Sequence, residues 1–425
     1  MPNRYRAVAP RVSKNYTIQY PEVTIIKAKN GIPVHVIKAG TKNVMKLDVV
    51  FKAGTRITDP LIPKATADLM VEATQTYNSE KLSNIIDTNG AFLFSEADRD
   101  RVSISMVVIE KFFDNLIHPL YETIHKPKFD TVDFNRYRIK RRQQHIHALE
   151  STSTIASRAF GSQLYGKEHP YGRMANVHDY DNLDLDKIRD FHKKHYVSGG
   201  TYAVVAGQFP DSNFDKVMEV IGSIPNGSNT DKNDYTPQPE EPKLNRITKK
   251  DAKQATIRVG DFCINKAHPD YATLRIANTI LGGYFGSRLM QVIREQKGYT
   301  YGIGSNLISL EHGAYWSVSG DVLLDKVDEV LADIRNEIDL LKIKPIAQSE
   351  LEMIQNYMMG EILQNFDGPF AIADTYKVLT DYGLDFTYFE NLKEAIQTIT
   401  SNKLCSTVQQ YFNYDSALKT VVSCE

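Results

Sequence analysis

The stretch from Pro225 to Pro242 divides this chain and limits what it can fold into. It carries Pro225-Asn226-Gly227-Ser228-Asn229, then Asp231 to Asp234, then Pro237, Pro239 and Pro242. A run of turn formers without apolar periodicity reads as a linker. On either side the same rhythm of elements recurs. Before it, Val23–Lys27 and Pro33–Ile37 flank Asn30-Gly31, a hairpin signature, and Met45–Phe51 reads as a third strand. Helical patterns at 64–73 and 79–88 follow, the latter closed by Asn89-Gly90. Then come an alternating strand over 101–108, helices at 110–125, 129–149, 154–164 and 185–195, and a strand at 201–206. After the linker, strands at 256–259, 301–308 and 314–319 are interleaved with helices at 268–281 and 287–296. Helices at 325–341, 349–363, 372–381, 392–399 and 403–411 precede a last strand at 418–423. The element order, not residue identity, points to an α+β chain of two similar domains. Each would be a mixed, largely antiparallel β-sheet packed with helices. The expected division is an N-terminal arm (1–20), a first domain (21–224), a linker (225–245) and a second domain (246–425).

Composition closes off other classes. Hydrophobic residues make up 42% and charged residues 24% of 425, an ordinary globular balance. Lys and Arg number 51 against 52 Asp and Glu, which argues against a dedicated nucleic-acid binder. Three cysteines, Cys263, Cys405 and Cys424, are too few for a disulfide framework. No apolar run suggests a signal peptide or a membrane span. The expectation is a cytoplasmic protein with no nucleic-acid or membrane partner.

Several clusters carry possible chemistry, each with a plain alternative. Gly282-Gly283-Tyr284-Phe285-Gly286 precedes a helix, as a phosphate loop would, but lacks a P-loop ending; a structural turn, or a loop met closely by a peptide, fits it better. His192 and His195 are spaced to share one helix face, as metal ligands or as a half-exposed helix end. His145 and His147 are two apart and face different ways on a helix. The basic run Arg136, Arg138, Lys140, Arg141 and Arg142 fits a solvated face better than an RNA contact. His169-Pro170-Tyr171-Gly172 reads as a turn with one buried ring. Arg294 ends a helix, Gly298 caps it, and Tyr301 opens a strand. A guanidinium and a phenol converging there would stabilise a carbonyl oxygen gaining negative charge; otherwise they are a helix-end arginine and a core tyrosine.

In order along the chain, these pieces resemble the pitrilysin/insulinase (M16) family of zinc peptidases, with the mitochondrial processing peptidases as relatives. The matching residues begin with Asn30-Gly31-Ile32-Pro33-Val34, Phe51-Lys52-Ala53-Gly54-Thr55-Arg56 and Gly90-Ala91. They continue with Tyr165 to Gly172, His192 to Tyr196 and Val204 to Gly207. In the second half they are Leu281-Gly282-Gly283, Ser287-Arg288-Leu289, and Arg294 through Gly298 to Tyr301. The resemblance implies a processing-peptidase-like fold of two similar domains that face a second such pair across a chamber. It also implies a His-x-x-Glu-His zinc motif on the first helix with a distal Glu. This sequence departs there. The matching segment is Lys64-Ala65-Thr66-Ala67-Asp68 or within a few residues of it, no histidine occurs between His35 and His118, and the distal position falls near Arg142-Gln143-Gln144. Glu72 is a lone carboxylate and does not restore the site.

In two-subunit members of that family one chain carries the zinc motif and the other an Arg/Tyr pair, which Arg294 and Tyr301 match. The resemblance therefore implies a non-zinc-binding subunit, with zinc in a homologous partner and peptides or unfolded polypeptides as substrate. On this reading Arg294 and Tyr301 are the catalytic contribution, and this chain holds no metal or cofactor. Two rivals remain: a structural core subunit with no part in catalysis, and an enzyme with a different metal site through His192 and His195.

Overall fold

The computed structural model describes residues 18–229 and 235–424. Most of the expected arm (1–17) and the middle of the expected linker (230–234) lie outside the described residues.

The first half builds a six-stranded sheet from β1 (Val23–Lys27), β2 (Pro33–Lys38), β3 (Val44–Phe51), β4 (Phe92–Ala97), β5 (Val102–Ile109) and β6 (Tyr202–Gly207). Its order is β1-β2-β6-β3-β5-β4, with β2 and β6 parallel and the other pairs antiparallel. The second half builds a five-stranded sheet from β7 (Leu244–Thr248), β8 (Ala255–Phe262), β9 (Thr300–Leu310), β10 (Gly313–Val322) and β11 (Leu418–Ser423), in the order β7-β11-β8-β10-β9. Here β7 and β11 are the parallel pair. Matching β2 through β6 to β7 through β11 makes the two topologies identical, with β1 as an added edge. The internal repetition read from element order is therefore present in the hydrogen-bond ladders. Both penultimate strand turns meet at the junction: the Glu311 N–H donates to Asp100 at 3.1 Å and the His312 N–H to the Tyr171 hydroxyl at 3.2 Å.

Three elements escape the sequence reading. β4 exposes Phe92 and Phe94 and pairs on one side only. β7 begins inside the segment read as linker, again as an edge strand. The helix α7 (Asp211–Gly222) follows β6 directly. The other helices of the first half are α1 (Leu61–Met70), α2 (Ser79–Thr88), α3 (Phe113–His125), α4 (Thr131–Ala148), α5 (Thr152–Tyr165) and α6 (Leu185–His195).

Burial explains how the halves join. In β6, Ala203 and Val205 face the first half's own helices, while Tyr202, Val204 and Ala206 join the core of the second half. A strand covered on both faces reads as a continuous apolar run, as Tyr202–Gly207 does. The helix on that far face is α11 (Pro369–Thr380), from the second half. Polar contacts reinforce it: the Tyr202 hydroxyl donates to Asp381 at 2.7 Å, Arg101 pairs with Asp381 at 2.6 Å, and His35 meets the Tyr376 hydroxyl at 3.1 Å. Lys46 pairs with Asp374 beside the fully buried Asp48. The second sheet is covered reciprocally by α5 of the first half, which packs on β8 and β11. Ser151 caps α5, Gly166 at φ +89° ends it, and Phe160, Leu164 and Tyr165 pack with Leu418, Phe262 and Tyr315. Each half thus lends one helix to the other's sheet.

Candidate functional site

The segment aligned with the zinc motif is α1. It is a sound helix: the Asp59 carboxylate accepts the Leu61 N–H at 2.8 Å, and Ala65, Thr66, Ala67, Leu69 and Met70 are buried. Opposite it lies α4, capped by Asp130, whose carboxylate accepts the Asp133 N–H at 2.9 Å. Asp68 of α1 receives the Arg141 guanidinium of α4 at 2.7 Å. Tyr137 of α4 also faces Asp68; burial, then that carboxylate, raise its phenol far above the usual range. Farther along α4, His145 packs edge-on to Tyr180 with ring centroids 5.6 Å apart, and its buried Nε2 meets no partner among the described residues. Burial, then Arg158, hold this imidazole below its ordinary value, so it is neutral near pH 7.

Zinc does not fit these residues. A zinc site needs three or four converging nitrogen, sulfur or carboxylate ligands. Here the one carboxylate on α1 is bound to an arginine, and of the α4 histidines only His145 lines the same space. Among the described residues no group of three His, Cys, Asp or Glu is placed to hold a metal ion.

The other histidine pairs have structural partners. His192 lies 3.1 Å from the Ile124 carbonyl and His195 lies 3.0 Å from the Asn229 amide oxygen. The His147 ring lies 3.7 Å from Glu150 at the helix end. The basic run on α4 is paired: Arg136 with Asp133 and Glu72, Arg141 with Asp68, Arg142 with Asp181. Glu72 also accepts from Ser79 at 2.8 Å. The His169–Gly172 segment is a turn in which Nδ1 of His169 accepts the Tyr171 N–H at 3.0 Å, and the buried Tyr171 donates to Asp100 at 2.5 Å.

In the second half, the two helices expected over 268–281 and 287–296 depart from α geometry. After α8 (Tyr271–Asn278) the chain widens into a π-type turn over Thr279–Gly283, and Met290–Gln296 is wound the same way. Gly282 sits where a Cβ would lie 2.5 Å from the Ser305 backbone nitrogen of β9. The glycine cluster is thus a close packing point against the strand. Asn278 locks the same contact, donating to the Ser305 carbonyl at 3.0 Å.

Gly298, at φ +68°, then reverses the chain into β9. The β9–β10 register runs Asp321 to Gly302 but Val322 to Thr300, leaving Tyr301 as the extra residue of a bulge. The Thr300 hydroxyl holds it, donating to the Asp321 carbonyl at 2.5 Å and accepting the Gly302 N–H at 3.0 Å. A bulge re-aims a side chain, and Tyr301 is 87% exposed. It is not a core tyrosine. Arg294 lies in the last π-wound turn, its guanidinium 4.5 Å from the ring centre of Phe285, which is itself 64% exposed. Among the described residues no carboxylate pairs with Arg294, and no bond joins it directly to Tyr301.

The fold and this metal-less site define a protein built like an M16 peptidase. A family model described as "Peptidase M16 inactive domain" matches residues 182–358. The chain is similar to M16 peptidases and lacks their zinc motif. It is 20% identical over 410 residues to an uncharacterized zinc protease of Rickettsia bellii, covering 94% of this chain and 97% of that protein. It is 20% identical over 389 residues to the "Non-peptidase homolog YmxG" of Helicobacter pylori, covering 89% and 88%. Against the uncharacterized zinc protease YmxG of Bacillus subtilis it is 24% identical over 225 residues, spanning about half of that relative (51%). Among solved structures, the peptidase M16 inactive domain from Pseudomonas fluorescens superposes with a TM-score of 0.86 at 20% identity, over 95% of this chain and 98% of that one. A protease from Helicobacter pylori gives 0.85 at 18%, over 95% and 100%.

Proposed function

We propose that this chain is the non-zinc-binding subunit of a heterodimeric M16-like peptidase. A homologous partner supplies zinc, its water and the general base. This chain supplies half of the substrate chamber and two donors for the scissile carbonyl, Arg294 and Tyr301. Substrates are peptides or unfolded segments that bind as an added strand on a sheet edge, which reads backbone more than side chain. The observation that carries this reading is the bulge at Tyr301. A hydroxyl-stabilised irregularity that pushes a phenol almost fully into solvent adds little to packing, and Arg294, seven residues earlier, pairs with no carboxylate among the described residues. The arrangement suits donors waiting for an oxygen that arrives with substrate. Arg294 leaves the ring of Phe285 when that oxygen binds.

The test is turnover of a quenched-fluorescence peptide by the complex purified with its zinc-bearing partner. Arg294→Ala and Tyr301→Phe should each lower kcat about 10-fold or more, with assembly intact. Unchanged turnover would instead favour a structural subunit with no part in catalysis.

A further inference from the structure

The space between α1, α4 and β4, where the family resemblance would put a metal, is a cavity of about 660 Å³. Its walls carry five cationic side chains (Lys64, Arg99, Arg141, Arg158 and Arg173) against three carboxylates (Asp68, Glu96 and Asp98), an excess of two positive charges with His145 neutral. One pair of opposite charges is already matched within the wall, which leaves the excess at two. Asp68 is bound to Arg141, and Asp98 accepts the backbone N–H groups of Asp100 and Arg101 at 2.7 Å each. Glu96 and Asp98 are the carboxylates left to oppose the other four cations.

The other three arginines are anchored by neutral groups. Arg99 donates to the Tyr171 carbonyl at 2.5 Å, Arg173 to the Thr58 carbonyl at 2.6 Å, and Arg158 to the Ala175 carbonyl. Carbonyls fix a guanidinium in place without cancelling its charge. Lys64 has no hydrogen-bond or ion-pair partner among the described residues. Burial, then Arg99, hold its ammonium below the usual lysine range, with Arg141 and Arg158 adding to the effect and Asp68 opposing it.

Ser95, Glu96 and Ala97 of β4 line the same cavity, and β4 is the free edge of its sheet. An extended peptide paired with β4 would present alternate side chains on the face that packs against α1. We propose that this cavity is a carboxylate subsite: it receives an Asp or Glu side chain of a peptide lying along β4, with Lys64 and Arg158 as the recognising cations. Rigid guanidinium forks and a free ammonium match a carboxylate in geometry and charge. The proposal rests on the peptide-binding reading above, but its test needs neither zinc nor the partner.

The probe is a fluorescein-labelled, C-terminally amidated decapeptide with one central Glu, compared with its Gln twin by anisotropy on the full chain at low salt. A third peptide carries Gln and a free C-terminus. The Glu peptide should bind about 10-fold more tightly than the Gln twin, and Lys64→Gln should reduce that ratio several-fold while Lys64→Arg retains it. Lys64 makes no bond that holds the fold, so its loss leaves the wall standing. Preference for the free C-terminus alone would keep the carboxylate chemistry and move its source to the chain end, overturning the side-chain assignment. Equal binding of all three peptides, no binding, or a ratio untouched by Lys64→Gln would overturn the subsite. Loss of turnover in Arg294 and Tyr301 variants, measured separately, would leave the peptidase reading standing in that event.

Discussion

Phe160 offers the sharpest test of how the two halves depend on each other. It belongs to α5 in the first half, yet its ring lies on the second sheet, 5.9 Å from Tyr315. A Cβ placed on Gly260 of β8 would come within 2.9 Å of its ring tip, so the ring reaches the strand backbone itself. Only 1% of the residue is exposed. Removing a buried phenylalanine ring costs about 3–5 kcal/mol. If all 425 residues unfold as one unit, the entropy of unfolding scales with that length, and the loss lowers Tm by roughly 3–6 °C. The reporter is built in. The single tryptophan, Trp316, is buried in β10 next to Tyr315 and packs on Phe412 with ring centroids 5.2 Å apart. Heating Phe160→Ala while following Trp316 fluorescence and far-UV circular dichroism should show both signals shifting together. A Trp316 transition that superposes on the wild type, with only the circular dichroism moved, would refute the reasoning. The first half would then be unfolding alone.

Thr300→Val should remove the two hydrogen bonds that hold the bulge, cost roughly 1–2 kcal/mol, and lower kcat of the assembled enzyme as Tyr301→Phe does. A stability loss with kcat unchanged would show that the bulge does not position Tyr301. Burial drives the His192 imidazole down to about 4, whereas an unfolded histidine titrates near 6.5. Between these values the unfolded state binds more protons, so stability falls as pH drops through the window. His192→Gln, which retains a donor for the Ile124 carbonyl, should flatten the dependence of the urea midpoint between pH 6.5 and 4; an equally steep curve would exclude His192 as a source.

The duplication was legible because its long helices and buried strands carry strong periodicity. Val102, Ile104, Met106 and Val108 recur at strand period, and the Asn30-Gly31 turn declares its hairpin. β4 and β7 were not: in β4 the exposed Phe92 and Phe94 alternate with the half-buried Leu93, and in β7 Leu244 is exposed, so apolar residues on the solvent face hide the alternation. The π-wound turns were not, since their cause is the fit of Gly282 and Asn278 against Ser305, a contact between segments distant in the chain. Arg294 and Tyr301 stood out through their spacing and the resemblance, but the bulge that exposes Tyr301 depends on the register of β10. The loss of the zinc motif could be read from the missing histidines. The cationic cavity could not, since Lys64, Arg99, Arg141, Arg158 and Arg173 come from separate segments.

The mutual loan of α5 and α11 sets a timetable for biosynthesis. β6 leaves the ribosome with Tyr202, Val204 and Ala206 uncovered, and their cover ends only at Thr380. At 5–20 residues per second that interval is roughly 10–35 s. During it, α5 likewise waits for a sheet not yet made. The nascent first half therefore carries an uncovered apolar strand face while synthesis continues, and nicking the finished protein between its halves would leave two fragments clasped rather than two free domains.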